Sequence, residues 1–147
     1  MKNQIIKTTT ILGLFFMLAI ASVNAQTPSR IEVTIPFDFS AGKATLKAGT
    51  YSIKRTSANV LAIRSADGKT TALVDAPLAI GSRDSKAGER LVFNQYGDQY
   101  FLSQIWMTVD TGRQLFTQSS EKKVAREYLL ANNSAKPKRV EIAARNR

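Results

Sequence analysis

The sequence predicts an all-β fold: a single antiparallel sandwich or barrel of about 7–8 strands with a short C-terminal helix. Three observations predict it. Residues 31–39 alternate apolar and polar side chains without interruption. Two segments, around Asp67-Gly68 and Gly97-Asp98, read as hairpins whose two arms agree in register. Strand-like stretches recur at short spacing with turn residues between them.

In the first strand, Ile31, Val33, Ile35, Phe37 and Phe39 alternate with Glu32, Thr34, Pro36 and Asp38. Period two means a strand with one buried face. Pro36 cannot donate to a ladder, so it marks an edge or a local break. Ser40-Ala41-Gly42-Lys43 reads as a turn, and residues 50–55 as a second strand with Tyr51 and Ile53 inward. Ser57-Ala58-Asn59 turns the chain again. Residues 60–64 and 70–75 then form a hairpin around Asp67-Gly68, a pair suited to a two-residue type I′ turn. That register sets Ile63 opposite Ala72 and Leu61 opposite Val74, all on one face. A three-residue loop would shift it.

Residues 78–80 read as a short strand, followed by a polar surface loop at 82–86. The second hairpin joins 90–96 to 99–107, with Phe93 opposite Leu102 and Gln95 opposite Tyr100. Leu91, Phe93, Tyr100, Leu102 and Trp106 then share one face. Val92, Phe101 and Ile105 share the other, with Asn94 and Ser103. Both faces are partly apolar, so each needs a cover. The cover for the second is a helix at 120–131, with Val124, Ala125, Tyr128 and Leu129 on one side and Ser119 or Ser120 as its cap.

The domain organisation follows. Residues 1–25 read as a cleavable signal peptide: Lys2 and Lys7, an apolar run at 11–20, then Val23-Asn24-Ala25 before the cleavage point. The run falls short of the roughly 20 apolar residues of a membrane span. No cysteine follows it for lipid attachment. No transmembrane segment is expected after cleavage, and the protein is expected to be exported, periplasmic or extracellular. Residues 26–131 form the β domain with its helix. Residues 132–147 form a basic tail, read either as a solvated end or as carrying a short last strand at Val140-Glu141-Ile142.

Charge sharpens this division. The whole chain has 21 Lys and Arg against 11 Asp and Glu. Residues 122–147 hold eight of the basic residues but only Glu127 and Glu141 of the acidic ones, a local net charge of +6. Such an end can hold an anionic envelope surface, or serve simply as a solvated terminus. No specific nucleic-acid partner is indicated.

Composition also excludes chemistry. With no His, there is no Ser-His-Asp set, no imidazole base and no imidazole metal ligand. With no Cys, thiol nucleophiles, zinc clusters and disulfides are absent. Asp38, Asp67, Asp98 and Asp110 are the candidates for a carboxylate pair, but each lies in or beside a turn, where Asp serves its own backbone. Tyr96, Tyr100, Phe101 and Trp106 read either as an aromatic platform for bases or sugars or as the core of a hairpin. Asn132-Asn133-Ser134 fits the glycosylation pattern, a short match that carries little. No catalytic, cofactor-binding or metal-binding residue is assigned, and no cofactor is expected. The favoured role is a non-enzymatic structural or interaction module of the cell envelope. The alternative is a small-ligand-binding barrel or sandwich, and the third is an enzyme working without His or Cys.

Ile35-Pro36-Phe37-Asp38-Phe39, Ala48-Gly49-Thr50-Tyr51, Arg64-Ser65-Ala66-Asp67-Gly68, Leu91-Val92-Phe93, Tyr96-Gly97-Asp98-Gln99-Tyr100-Phe101-Leu102 and Ile105-Trp106 occur in that order. In this the chain resembles a family of short, exported, β-rich proteins of some soil bacteria, marked by a Tyr-Gly-Asp-x-Tyr-Phe-Leu segment. The resemblance spans roughly residues 31–130. Lys47 stands where that family usually has Pro. The resemblance implies export and a compact β domain, and brings across no activity, cofactor or catalytic residue.

Overall fold

The computed structural model describes residues 30–81, 88–132 and 136–147. The expected signal peptide at 1–25 and the polar loop at 82–86 lie outside them. Two sheets face each other. One has five strands in the order β12-β1-β4-β5-β6, built from β1 (Arg30–Ile35), β4 (Gly49–Arg55), β5 (Val60–Ser65), β6 (Thr71–Asp75) and β12 (Arg145–Asn146). The other runs β11-β8-β9-β10-β7: β11 (Lys138–Ala143), β8 (Arg90–Tyr96), β9 (Gln99–Trp106), β10 (Thr111–Gln114) and β7 (Leu78–Gly81). Its β9 also meets β2 (Phe39–Ala41), which pairs with β3 (Ala44–Leu46). Each sheet ends in open edges, so the fold is a sandwich and not a barrel. The expected strand count was too low because the sequence hides short strands.

The opening alternation is divided between the sheets. β1 stops at Ile35, and the chain crosses at Pro36-Phe37-Asp38 to start β2 at Phe39. Pro36 therefore marks a break, as its missing N–H requires. Phe39 lands between the layers, its ring edge-on to Tyr51 of one sheet and to Phe93 of the other, each at 5.5 Å. Phe37 stacks on Tyr100 at 3.8 Å. The expected turn at 40–43 is narrower: Ser40 and Ala41 belong to β2, and only Gly42-Lys43 connects it to β3. The β2–β9 bridge, Ser40 to Phe101, is parallel, and every other strand pairing is antiparallel.

The β5–β6 register is the expected one, Ile63 to Ala72 and Leu61 to Val74. Its turn is not. Ser65 N–H donates to the Thr70 carbonyl at 2.9 Å, and Gly68 N–H donates to the Ser65 carbonyl at 2.9 Å. The loop is therefore the four residues Ala66–Lys69, with Gly68 at φ +72 ending a tight turn. The symmetry of the pairing is the same for a two- or a four-residue loop, so the register survives the wrong turn type.

The β8–β9 hairpin corrects a second expectation. Phe93 faces Leu102, but Val92 faces Gln104, so Ser103 is a β-bulge. Its carbonyl accepts the Leu115 N–H at 2.9 Å. One extra residue flips every side chain beyond it. Ile105 therefore joins Leu91, Phe93 and Leu102 in the inter-sheet core, and Trp106 turns to the outer face with Val92.

Helix α1 (Ser119–Ala131) covers part of that outer face. Its N-cap is Gln118, which makes no side-chain capping bond, in place of the expected Ser119 or Ser120. Val124, Ala125 and Tyr128 are half-buried, while Leu129 is 38% exposed, so the apolar stripe is a weak seal. The buried contact is polar: Glu121 is 4% exposed and accepts the Asn94 amide at 2.8 Å and the Tyr96 hydroxyl at 3.4 Å on one oxygen. The optional last strand at 140–142 is longer than expected. β11 pairs with β8 over six residues, and β12 pairs with β1 through Ile31–Asn146 and Glu32–Arg145.

Candidate functional site: the outer face of the five-stranded sheet

Alternation in β1, β4 and β5 sends Ile31, Val33, Tyr51, Ile53, Leu61 and Ile63 into the core. The intervening residues must then face outward. The pairing sets these in rows. Arg145, Glu32, Ser52 and Arg64 line up across β12, β1, β4 and β5. Arg30, Lys54 and Ala62 form the next row, and Thr34 and Thr50 a third, with their hydroxyls 3.0 Å apart. Five cations therefore gather on one face: Arg30, Lys54, Arg64, Arg145 and, just past β12, Arg147.

The face is not flat. Ser52 is short and stands between the longer Glu32 and Arg64, which are two strand spacings, or roughly 10 Å, apart. The result is an open trough of about 460 Å³. Its floor carries the hydroxyls of Thr50 and Ser52, and its walls are Arg30, Glu32, Arg64, Arg147 and the loop at 65–68. A second depression of about 450 Å³ adjoins it around Arg145 and Arg147.

Two of the walls are braced. Arg147 Nε lies 3.2 Å from Glu32 Oε2, and its backbone N–H donates to the Arg30 carbonyl at 2.9 Å. Arg64 runs along the hairpin loop, so close that a Cβ on Gly68 would stand 3.0 Å from its Nη2. The side chains of Arg30, Lys54 and Arg64 have no carboxylate partner among the described residues. The face therefore presents free positive charge beside hydroxyl groups.

No family model, no curated protein and no solved structure matches the chain.

The carboxylates singled out in the sequence do not come together. Asp38 accepts Lys47 Nζ at 2.7 Å and the Ala48 N–H at 2.9 Å, and the lysine bond foremost holds its carboxyl below the usual range. Asp67 accepts the Ser65 hydroxyl and the Lys69 N–H, and Asp110 the hydroxyls of Thr108 and Thr111. Both are held low, first by the Ser65 and Thr108 hydroxyls respectively. Asp67 and Asp110 brace their own turns, whereas Asp38 ties the crossing between β1 and β2 to the link between β3 and β4. No group of three His, Cys, Asp or Glu residues that could hold a metal ion occurs among the described residues.

The aromatic cluster does not form a platform either. Tyr96, Phe101 and Trp106 are 8%, 5% and 4% exposed, and Tyr100 is stacked on Phe37. Burial beside the Glu121 carboxylate pushes the Tyr96 hydroxyl above the ordinary tyrosine range. Trp106 lies flat against Gly112 and under the Arg90 guanidinium, which is 4.4 Å from the ring centroid. Arg90 Nε is 3.3 Å from Glu141 Oε2, without hydrogen-bond geometry. These groups lock β11, β8, β9 and β10 together and are closed to a ligand. In the glycosylation-like triplet, Asn132 donates its amide to the Tyr128 carbonyl at 2.9 Å, and its other two residues lie outside those described.

The sequence reading placed the excess charge in the tail and missed Arg30, Lys54 and Arg64. Their signal was present in the alternation, as the outward members of strands whose inward members were recognised. Their meeting with Arg145 and Arg147 depends on the pairing of β12 with β1, which local pattern does not encode.

Proposed function

We propose that the protein is a non-enzymatic, exported interaction module that holds an anionic surface of the cell envelope, in the periplasm or outside the cell. One observation carries the reading: the strand β12 brings Arg145 and Arg147 beside Arg30, Lys54 and Arg64 on a single sheet face. Clustered charge on a rigid scaffold binds a polyanion more strongly than the same charge on a loose tail, because less conformational entropy is lost on binding. Export is supported by the sequence at 1–25. No helix among the described residues is long and apolar enough to cross a membrane.

The test is retention of the purified protein on a polyanionic matrix at low and high salt. Binding should weaken steeply with salt, since exposed charges are screened within about 10 Å at 0.1 M. The substitutions Arg30→Gln, Arg145→Gln and Arg147→Gln together should lower it further. Salt-insensitive binding, or binding indifferent to these three changes, would refute the reading. N-terminal sequencing of protein from the envelope or medium tests export, with Gln26 the expected first residue.

A further inference from the structure

We infer that the trough on the five-stranded sheet is a binding site for acidic sugar units of a polysaccharide, with a sugar carboxylate held by arginine and ring hydroxyls held by the trough's own carboxylates and hydroxyls. This rests on the surface-binding reading above and names its ligand.

The mixed lining carries the argument. A site built only to attract anions would hold no negative charge, because a like charge at close range repels the ligand. Here Glu32 stands in one wall, paired with Arg147, and Asp67 belongs to the loop that lines the trough with Arg64. Two carboxylates among three guanidinium groups suit a ligand that is anionic at one end and rich in hydroxyl donors elsewhere. A sugar acid has that distribution. Its carboxylate takes paired N–H donors from a planar guanidinium, and its hydroxyls donate to carboxylate oxygens in charge-assisted bonds.

The geometry fits the same ligand. Glu32 holds Arg147 at 3.2 Å, so the guanidinium is placed before the ligand arrives and less side-chain freedom is lost on binding. Arg64 lies along the loop in space that Gly68 leaves free. Between them the floor offers the Ser52 and Thr50 hydroxyls, each of which can donate and accept. The trough adjoins the depression beside Arg145 across the Glu32–Arg147 pair, which gives a neighbouring sugar unit of a polymer a second place to sit. A lipid surface fits less well. Among the described residues that line the trough, Tyr51 is the only large apolar one, and it is 4% exposed, so the trough itself offers nothing to insert between lipids.

The experiment compares three probes on the wild-type protein and two variants: polygalacturonate, the same polymer with its carboxylates methyl-esterified, and phosphatidylglycerol vesicles. Wild type should prefer polygalacturonate to the esterified polymer by about tenfold or more, and Arg64→Gln should cost about tenfold on the acidic polymer, each the loss of one charge-assisted contact. Glu32→Gln gives the decisive sign. It removes a negative charge, so a purely electrostatic surface would bind more tightly. In a sugar site the amide keeps one neutral acceptor oxygen but loses the charge that strengthens the hydroxyl bonds and braces Arg147, so binding should weaken. Tighter binding by Glu32→Gln, or equal binding of the esterified polymer, would overturn the assignment. Preference for the vesicles would overturn it too, yet leave the surface-binding reading standing. Failure to bind any probe at low salt would remove both. Esterifying the ligand tests the site on unaltered protein, so the outcome does not hang on the variants folding.

Discussion

Single side chains here act mainly as spacers and braces, and the contact of Gly112 with Trp106 shows how finely. A Cβ on Gly112 would lie 2.5 Å from the indole, so the strand can approach the ring only with glycine at that position. Gly112→Ala should therefore destabilise the fold by about 1–3 kcal/mol, as overpacking does. Trp106→Ala should cost about 3–5 kcal/mol and, by vacating the space, should make a further Gly112→Ala change nearly neutral. Denaturant unfolding of the two single variants and the double variant measures this; additive losses would mean that the two residues do not share the space. Three hydrogen-bonded aspartates supply a second expectation at this scale. Asp38, Asp67 and Asp110 all titrate below the ordinary carboxylate value when folded. A depressed folded value favours the folded state above the unfolded value of about 3.9, and the benefit is lost as pH falls through the folded value. Thermal midpoints should thus be level with respect to these groups near neutral pH and fall below about pH 4, and Asp67→Asn should flatten part of that fall. For Asp67 and Asp110 this role was legible from sequence, since Asp beside Gly or Thr at a reversal serves the backbone, whereas the partners of Asp38, Lys47 and Ala48, lie nine and ten residues along the chain. The face on which Trp106 lies was not. It turns on one bulge residue, Ser103, whose side chain gives no sign of its place in the ladder.

At the level of elements, alternation was a reliable guide wherever a strand stays in one sheet. β4, β5 and β6 bury the residues their pattern demands, and the β5–β6 pairing was readable to the residue. The pattern failed where the chain changes layers without changing period. Residues 31–39 keep their alternation across Pro36, so one apparent strand is two, and only the proline hints at it. The helix shows the opposite case, a correct element with its anchor misread. Its apolar stripe is half exposed, whereas Glu121, a residue that reads as solvent-facing, is buried under it. The N-terminal end of a helix favours a carboxylate, and Asn94 and Tyr96 supply donors from the sheet. Glu121→Ala should strand those donors and cost about 1–3 kcal/mol, while Glu121→Gln keeps an acceptor and should cost less. Equal effects of the two changes would show that the carboxylate's hydrogen bonds are not what holds the helix down. Chemical denaturation followed by far-UV circular dichroism separates the two outcomes.

Across the whole molecule, the last residues close the sandwich on its open side. β11 extends the seven-stranded sheet beside β8, Ala144 N–H donates to the Glu89 carbonyl at 2.9 Å, and β12 then joins the five-stranded sheet beside β1. Read as sequence, this stretch is basic and polar, with only Val140 and Ile142 to suggest burial. Its place in the fold depends on the edges of β8 and β1, which lie far away in the chain. Those two side chains are half-buried against the core, and Glu141 reaches Arg90. Truncation after Ala135 should therefore cost more than about 2 kcal/mol, since it uncovers apolar surface on β8 and opens a ladder of backbone bonds. It should also abolish binding to anionic polymers, because the strand that leaves is the one that carries Arg145 and Arg147 to the sheet face. The truncation alone cannot separate loss of fold from loss of charge, but point changes can. Arg145→Gln with Arg147→Gln removes two positive charges from exposed side chains whose one ion pair among the described residues is Arg147 with Glu32 at the surface, an arrangement worth about 0–1 kcal/mol. The double variant should unfold at nearly the wild-type denaturant concentration and yet leave a polyanionic matrix at lower salt. A double variant that unfolds as readily as the truncated chain would assign the arginines to the fold. One that is both stable and retained like wild type would place the binding charge elsewhere on the surface.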